Sequence, residues 1–353
     1  MNPCEVSWFS ALCDDDYEFL GVPDLHLQSS FAHCRDIALT AETAGFDNLL
    51  LPSGYALGID SLAFGAGIAP MLKRMRLLAA IRCGEMWPPQ LARQLATLDE
   101  MLDGRLTVNI ISSDLPGETL ASAPRYQRTV EVMELLNLLL SGRPVDYQGE
   151  FYRLKLDPPR VARTRARRLP LYFGGLSDDA REAAARAADV YLMWPDTLPA
   201  VKAIVGDMTA RATRHGRKLR FGYRVHVVVR ETETEAREAA SRLLSRLDDA
   251  EGDAIRARSL DSTSYGVRRQ AELRAGAGHD GYVEDNLWTG IGRARSGCGA
   301  AVVGDPDQVL AKLNAYRELG LEAFILSGYP HAAEADLFAR HVLPHLDHAP
   351  LTF

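Results

Sequence analysis

About eight times along its length this chain follows a short apolar run with a helical stretch, and that alternation limits the fold more than any single motif does. The apolar runs are Val6 to Phe9, Asn48 to Leu51, Arg76 to Ala80, Leu106 to Ile111, Leu171 to Phe173, Val190 to Trp194, Leu219 to Val229 and Ala323 to Leu326. Helical periodicity falls between them. Phe31 to Ala44 stops at Gly45, a C-cap signal, and Ser61 to Pro70 is a second helix. A third starts at Pro88 and stops at Gly104. Arg125 to Leu140 carries its apolar face at Val132, Leu135, Leu136 and Leu139. Further helices are read near Val201 to Arg214, Thr234 to Leu247, Pro306 to Leu319 and Ala333 to Leu346, with a small hairpin at Tyr147 to Leu154. Strands this uniformly apolar are buried on both faces, as in a parallel sheet. Repeated strand–helix steps then predict a closed (β/α)8 barrel, with an open doubly wound sheet as the alternative.

One segment breaks the rhythm. Asp248 to Gly299 is rich in Arg, Gly and Ser, including Arg256, Arg258, Arg268, Arg269, Arg274, Arg293 and Arg295, and its periodicity is weak. It falls just before the final strand. A long irregular excursion at that point of a barrel is expected to be a lid over the site (residues 248–299), within a single domain spanning 1–353. A barrel of 353 residues needs no second domain.

Charge and cysteine content exclude several partners. A net charge of −7 argues against nucleic-acid or acidic-membrane binding. Five scattered cysteines without CxxC spacing suggest neither a disulfide framework nor a metal site. No signal pattern and no bilayer-length apolar run are seen, so a cytoplasmic location is expected.

The chemistry gathers at strand ends. Leu171-Tyr-Phe is followed by Gly174-Gly175, then by Ser177 at an N-cap position before an Ala-rich helix. Such a strand–turn–helix offers free backbone N–H groups and a helix dipole to an anion, a cofactor phosphate being the first expectation; an ordinary capped helix is the alternative. Trp194 ends the next strand. Arg224 and His226 share one face of the strand after it, because side chains alternate with period two. Buried in an apolar barrel, such a pair needs an anion or a partner. Ser327-Gly-Tyr-Pro-His then aims Tyr329 and His331 at the same mouth. No G-x-S-x-G, HExxH or P-loop is present.

Several of these stretches together carry a family resemblance: Arg93-Gln-x-Ala-Thr-Leu-Asp, Leu171-Tyr-Phe-Gly-Gly-x-Ser, Tyr191-Leu-x-Trp, Phe221-Gly-x-Arg-x-His-Val-x-Val-Arg-Glu-Thr, Asn286-Leu-Trp and Ser327-Gly-Tyr-Pro-His. The chain resembles the bacterial luciferase-like flavin monooxygenases, and within them the two-component, reduced-FMN-dependent alkanesulfonate monooxygenases. The resemblance implies a TIM-type barrel assembled as a homodimer or homotetramer. It also implies reduced FMN from a separate NAD(P)H-dependent reductase, O2 as co-substrate, and C–S cleavage of a small anionic organosulfur compound to an aldehyde and sulfite.

Carried over by motif, Gly175, Ser177 and Tyr126 would face the FMN phosphate, and Asn109 and Ser112 the rest of the cofactor. Trp194, Arg224, His226, Tyr329 and His331 would line the active site, and Arg295 would be a lid arginine. Cys13 replaces a histidine of the alkanesulfonate pattern, and Cys83 a proline. The Pro52-Ser-Gly-Tyr-Ala-Leu-Gly loop, with Tyr55 and Leu57, is longer and less polar than the family's. These four residues mark a remodelled substrate side. That change keeps two alternatives open: S-/N-oxygenation or Baeyer–Villiger oxidation of another metabolite, and a non-catalytic flavin-binding relative.

Overall fold

The computed structural model describes residues 2–257 and 264–353; Arg258 lies outside them. Among the described residues, eight parallel strands close a barrel: β1 (Glu5–Phe9), β2 (Asn48–Leu51), β3 (Arg76–Arg82), β4 (Leu106–Ile111), β5 (Leu171–Phe173), β6 (Val190–Met193), β7 (Arg220–Val229) and β8 (Leu321–Ser327). Each pairs with the next, and β8 returns to β1 in the register Glu5↔Ala323 to Trp8↔Leu326. Closure removes both sheet edges. The doubly wound alternative is thereby set aside.

Alternation along the strands divides the interior. Phe9, Leu50, Leu78, Tyr172, Val190, Ala323 and Ile325 form a cluster inside the barrel. Their neighbours Trp8, Leu49, Leu51, Leu77, Val190's successor Tyr191 and Phe324 belong to the larger core between strands and helices. The helix Pro88–Met101 shows how the sequence builds that layer. Proline occupies its first turn, where the missing N–H costs nothing, and Leu91, Leu95 and Leu98 recur at helical spacing on its buried face.

The bottom of the barrel is closed by a polar plug. Buried Glu5 accepts hydrogen bonds from the Tyr172 hydroxyl (2.7 Å) and the Leu351 backbone N–H (3.1 Å). Arg76 donates to the Leu351 carbonyl (2.6 Å). The C-terminal segment is thus held against this end, and the opposite, C-terminal end of the strands remains for the site.

The described residues of the segment 248–299 hold more secondary structure than its composition suggests. It holds helices Asp249–Ala257 and Tyr265–Ala275, strands Tyr282–Glu284 and Leu287–Trp288, and a 3-10 turn at Gly290–Arg293. An Arg- and Ser-rich helix lying on a protein surface needs few apolar positions, so its periodicity is faint. The strand Ala301–Gly304, unforeseen from sequence, follows and pairs in parallel with the upper half of β7, His226 to Val229.

Two glycines seat this insertion on Trp194. A Cβ at Gly266 would lie 2.8 Å from the indole Cζ3, and one at Gly297 would lie 3.1 Å from Cζ2. Arg269 adds a two-pronged ion pair to Asp196 (2.7 and 2.8 Å), and Gln270 donates to the Pro195 carbonyl (2.7 Å). Since Trp194 is held on both sides, it cannot yield to an added methyl. Gly266→Ala should therefore unseat the helix Tyr265–Ala275 even though alanine is the better helix former by about 1 kcal/mol, because overpacking costs about 1–3 kcal/mol. The expected readout is tryptic cleavage within 265–275 at several times the wild-type rate; an unchanged rate would mean that the seat does not constrain the insertion.

Candidate active site

A pocket of about 330 Å³ opens at the carboxyl ends of the strands. One end of it is cationic. Arg224, on β7, points into the barrel, while its neighbour Tyr223 faces outward and packs on Tyr316 at 4.3 Å. The Arg224 guanidinium lies over the Phe9 ring at 4.4 Å, and the Arg295 guanidinium approaches the same ring at 5.2 Å. Phe9 also stacks on His331 at 5.5 Å. A phenyl face shared by two guanidiniums is a favourable way to hold cations in a dry site. Arg224 donates to the carbonyls of Val225 (3.1 Å) and Ile325 (3.4 Å), but its Nη2 has no partner among the described residues. Arg295 donates through Nη1 to the Asp15 carboxylate (2.7 Å) and to the Tyr329 hydroxyl oxygen (2.8 Å), leaving Nε unpartnered.

Three neutral groups back this pair. His226 shares a 2.7 Å hydrogen bond between Nδ1 and the Ser327 hydroxyl and stacks on Tyr329 at 5.2 Å. Burial pushes the His226 pKa well below the ordinary imidazole value, and Arg224 and Arg295 push it further. His331 is lowered by burial as well. Burial raises the Tyr329 phenol, which therefore keeps its proton. The same burial lowers Arg224, whereas the Tyr329 oxygen and Asp15 more than offset that penalty at Arg295 and hold its charge.

The opposite wall is the glycine turn after β5. A Cβ at Gly174 would fall 2.0 Å from the Leu192 carbonyl oxygen, and one at Gly175 would fall 2.6 Å from the Ala180 Cβ, so only glycine lets the chain turn here. The helix Asp178–Ala187 then starts with Ser177 as its cap, the hydroxyl accepting from the Ala180 N–H. Its two first-turn carboxylates are drawn outward, Asp178 to Arg211 (2.6 Å) and Asp179 to the Ser122 hydroxyl (2.5 Å). Tyr126 packs edge-on to Phe173, and the Thr129 hydroxyl donates to Ser112 (2.9 Å). The result is a neutral, glycine-backed cradle at a helix N-terminus.

Of the residues singled out from sequence, Cys13, Asn109, Ser112, Tyr126, Gly175, Ser177, Trp194, Arg224 and Arg295 line this one pocket. His226, Tyr329 and His331 do not: they stand behind Phe9 and Arg295, because the strand and its proline turn place them deeper than the mouth. Tyr55 and Leu57 are 71% and 46% exposed and also stay off the pocket wall. Only the start of their loop, Pro52 and Ser53, reaches it. Cys83 is buried beside Thr129, away from the pocket. Of the insertion's arginines in the described residues, Arg295 alone lines the site. Arg269 and Arg293 are spent on Asp196 and Asp249, and Arg274 on the Gly292 carbonyl.

Sequence reasoning missed Asp15 and Phe9. Asp14-Asp15-Asp16 reads as a solvated acidic loop, and a phenylalanine ending a strand reads as core. The only signal was the need of a buried arginine pair for a counter-ion. No group of described residues is arranged to hold a metal ion, and no helix among them is long and apolar enough to cross a membrane.

The luciferase-like monooxygenase family matches this chain over residues 19–323. The sulfoquinovose monooxygenase of Novosphingobium aromaticivorans is 66% identical over 355 residues, covering 99% of this chain and 98% of the relative. The sulfoquinovose monooxygenase of Agrobacterium fabrum is 54% identical over 349 residues, covering 98% and 90%. Among solved structures, a long-chain alkane monooxygenase superposes with a TM-score of 0.77 at 18% identity, covering 100% of this chain and 94% of its own, which supports the barrel fold. With that match over most of its length, the chain belongs to the luciferase-like monooxygenase family and is an oxidoreductase.

Proposed function

We propose that this chain is a reduced-flavin-dependent monooxygenase that cleaves the C–S bond of a sulfonated sugar, sulfoquinovose, releasing sulfite and leaving an aldehyde. One observation carries the reading. Two guanidiniums with unpartnered N–H groups, Arg224 Nη2 and Arg295 Nε, are buried around one pocket that also holds a glycine cradle at a helix N-terminus. The first pair suits a sulfonate and the second a cofactor phosphate. The 66% and 54% identical relatives favour the sugar sulfonate over a simple alkanesulfonate.

The residues fit FMN. Gly174, Gly175, Ser177 and Tyr126 would receive its phosphate, and Asn109 and Ser112 would lie along the remainder. When bound, reduced flavin from a separate NAD(P)H-dependent reductase supplies the two electrons that activate O2. The balance is R–CH2–SO3⁻ + O2 + 2 H (two electrons and two protons) giving R–CHO + HSO3⁻ + H2O, one oxygen atom going to carbon and the other to water. Arg224 and Arg295 orient the sulfonate and stabilise the charge that the departing sulfite gathers. Tyr329 keeps its proton and, with neutral His226, fills the space behind the arginines without adding charge. Trp194, Phe9 and the insertion keep water out, which protects activated oxygen from wasteful release. The insertion (248–299) is the cover that would open for exchange. Of the changes that motivated S-/N-oxygenation or Baeyer–Villiger oxidation, Cys13 reaches the pocket and Tyr55 and Leu57 do not, and the relatives favour the sulfonate over those alternatives.

Mixing the protein with reduced FMN, O2 and sulfoquinovose should release one sulfite per turnover. Oxygen uptake without sulfite would overturn the C–S cleavage. Arg224→Ala should lower kcat/KM by about 100-fold or more, the usual cost of losing one charge-stabilising donor, while the variant still unfolds cooperatively. Unchanged turnover would remove the clamp role.

Acid stability tests the neutral histidines. His226 and His331 have folded pKa values below that of the unfolded chain, so their contribution is complete above about pH 6.5 and is lost as the pH falls below it. Each should add about 1.4 kcal/mol of lost stability per pH unit in that window. His226→Gln should shrink the difference between urea midpoints at pH 7.5 and 5.5; an equal difference in both proteins would mean that His226 is charged when folded.

A further inference from the structure

The charge of the cationic end is set by one residue that the proposed mechanism leaves unused. Among the described residues lining the pocket, the ionised side chains are Arg224, Arg295 and Asp15. The neighbouring carboxylates turn away. Asp14 accepts from the backbone N–H groups of Ser29 (2.9 Å) and Gly58 (3.1 Å), and Asp16 from His33 Nε2 (2.9 Å) and the His331 N–H (2.9 Å). Two guanidiniums and one carboxylate leave a single positive charge. Asp15 is 9% exposed; its Oδ2 holds Arg295 at 2.7 Å, and its buried Oδ1 has no partner. Asp15 itself lines the pocket, so its carboxylate stands at the cationic end where the sulfonate reading places an incoming anion.

Sulfonates and phosphate monoesters present the same three oxygens in nearly the same shape, so hydrogen bonding and size separate them poorly. They differ in charge. A sulfonate carries one negative charge, whereas a phosphate monoester carries about −1.5 to −2 near pH 7. We propose that Asp15 is a specificity-determining residue that admits a monoanionic sugar sulfonate and rejects the dianionic 6-phosphate of the same sugar. It does so by subtraction: with Arg295 already half-neutralised, the second charge of a phosphate meets no free cation and is left beside the Asp15 carboxylate. Repulsive elements of this kind set specificity where attraction cannot. The proposal rests on the sulfonate reading given above.

Anaerobic calorimetry with reduced FMN present, titrating sulfoquinovose, glucose 6-phosphate or glucose, tests it. Wild type should bind sulfoquinovose at least about 100-fold more tightly than glucose 6-phosphate near pH 7.5, and glucose not measurably. Asp15→Asn keeps an acceptor for Arg295 and should tighten glucose 6-phosphate by about tenfold or more with a smaller change for sulfoquinovose. Wild type needs no variant for the same test: lowering the pH to about 5.5 protonates the phosphate, whose second pKa is about 6, and should tighten glucose 6-phosphate while sulfoquinovose changes little. An unchanged preference in a folded Asn variant would overturn the proposal, as would the absence of any gain at low pH. Equal wild-type binding of the two sugars would overturn it while leaving the sulfonate reading intact. Failure of wild type to bind sulfoquinovose would instead overturn the sulfonate reading and this proposal with it.

Discussion

Burying two guanidiniums in the mouth of an apolar barrel is the constraint that the rest of the site answers to. An unpaired buried charge costs several kcal/mol after every relaxation the protein can make. Here the cost is offset by the Phe9 ring beneath both arginines, the Asp15 carboxylate beside one of them, and the carbonyls of Val225 and Ile325 beside the other. What remains uncompensated is a buried N–H group on each of two arginines that line one cavity. Burial keeps the histidines and the tyrosine around them neutral; the arginine charges add to that at the histidines and oppose it at Tyr329, where burial prevails. Charge around this end of the pocket is confined to the two arginines and Asp15, with neutral groups behind them.

The barrel supplies the geometry. Strand ends on all sides bring together groups from distant parts of the chain: Phe9 from the first strand, the glycine turn from the fifth, Trp194 from the sixth and Arg224 from the seventh. The insertion then contributes Arg295 and a roof including Tyr265, Gly266 and Gly297. Its attachment is partly polar, as the Arg269–Asp196 pair and the Gln270–Pro195 hydrogen bond illustrate, and partly apolar, with Trp288, Ile291 and Ala294 packed in one cluster with Leu20, Val228 and Leu243.

Much of this was legible in the sequence because it depends on periodicity. Arg224 and His226 fall on one face, with Tyr223 and Val225 on the other, purely from strand alternation, and the structure has them so. The glycine pair before a serine cap was equally plain, since sterics leave glycine alone at Gly174. What escaped depends on long-range pairing. Asp15 is buried only because Arg295, some 280 residues later, comes to it. Tyr55 and Leu57, apolar and therefore expected inside, face solvent because their loop returns along the outside of the mouth after Pro52 and Ser53. The helix Tyr265–Ala275 of the insertion escaped for a third reason: packed on one face against Trp194 through a glycine, it needs no apolar stripe to be stable.

The long seventh strand carries a consequence for anyone recombining proteins of this shape. Its upper half, His226 to Val229, is hydrogen-bonded to Ala301–Gly304, the strand that leads out of the insertion, while Phe221 to His226 is hydrogen-bonded to the eighth barrel strand. The roof and the strand that carries Arg224 therefore share one piece of backbone. Exchanging the roof between two such enzymes as a loop graft would cut across that shared ladder. A chimera with its junctions before Arg220 and after Gly304 would carry Arg224, the roof and their common register across as one inheritable module.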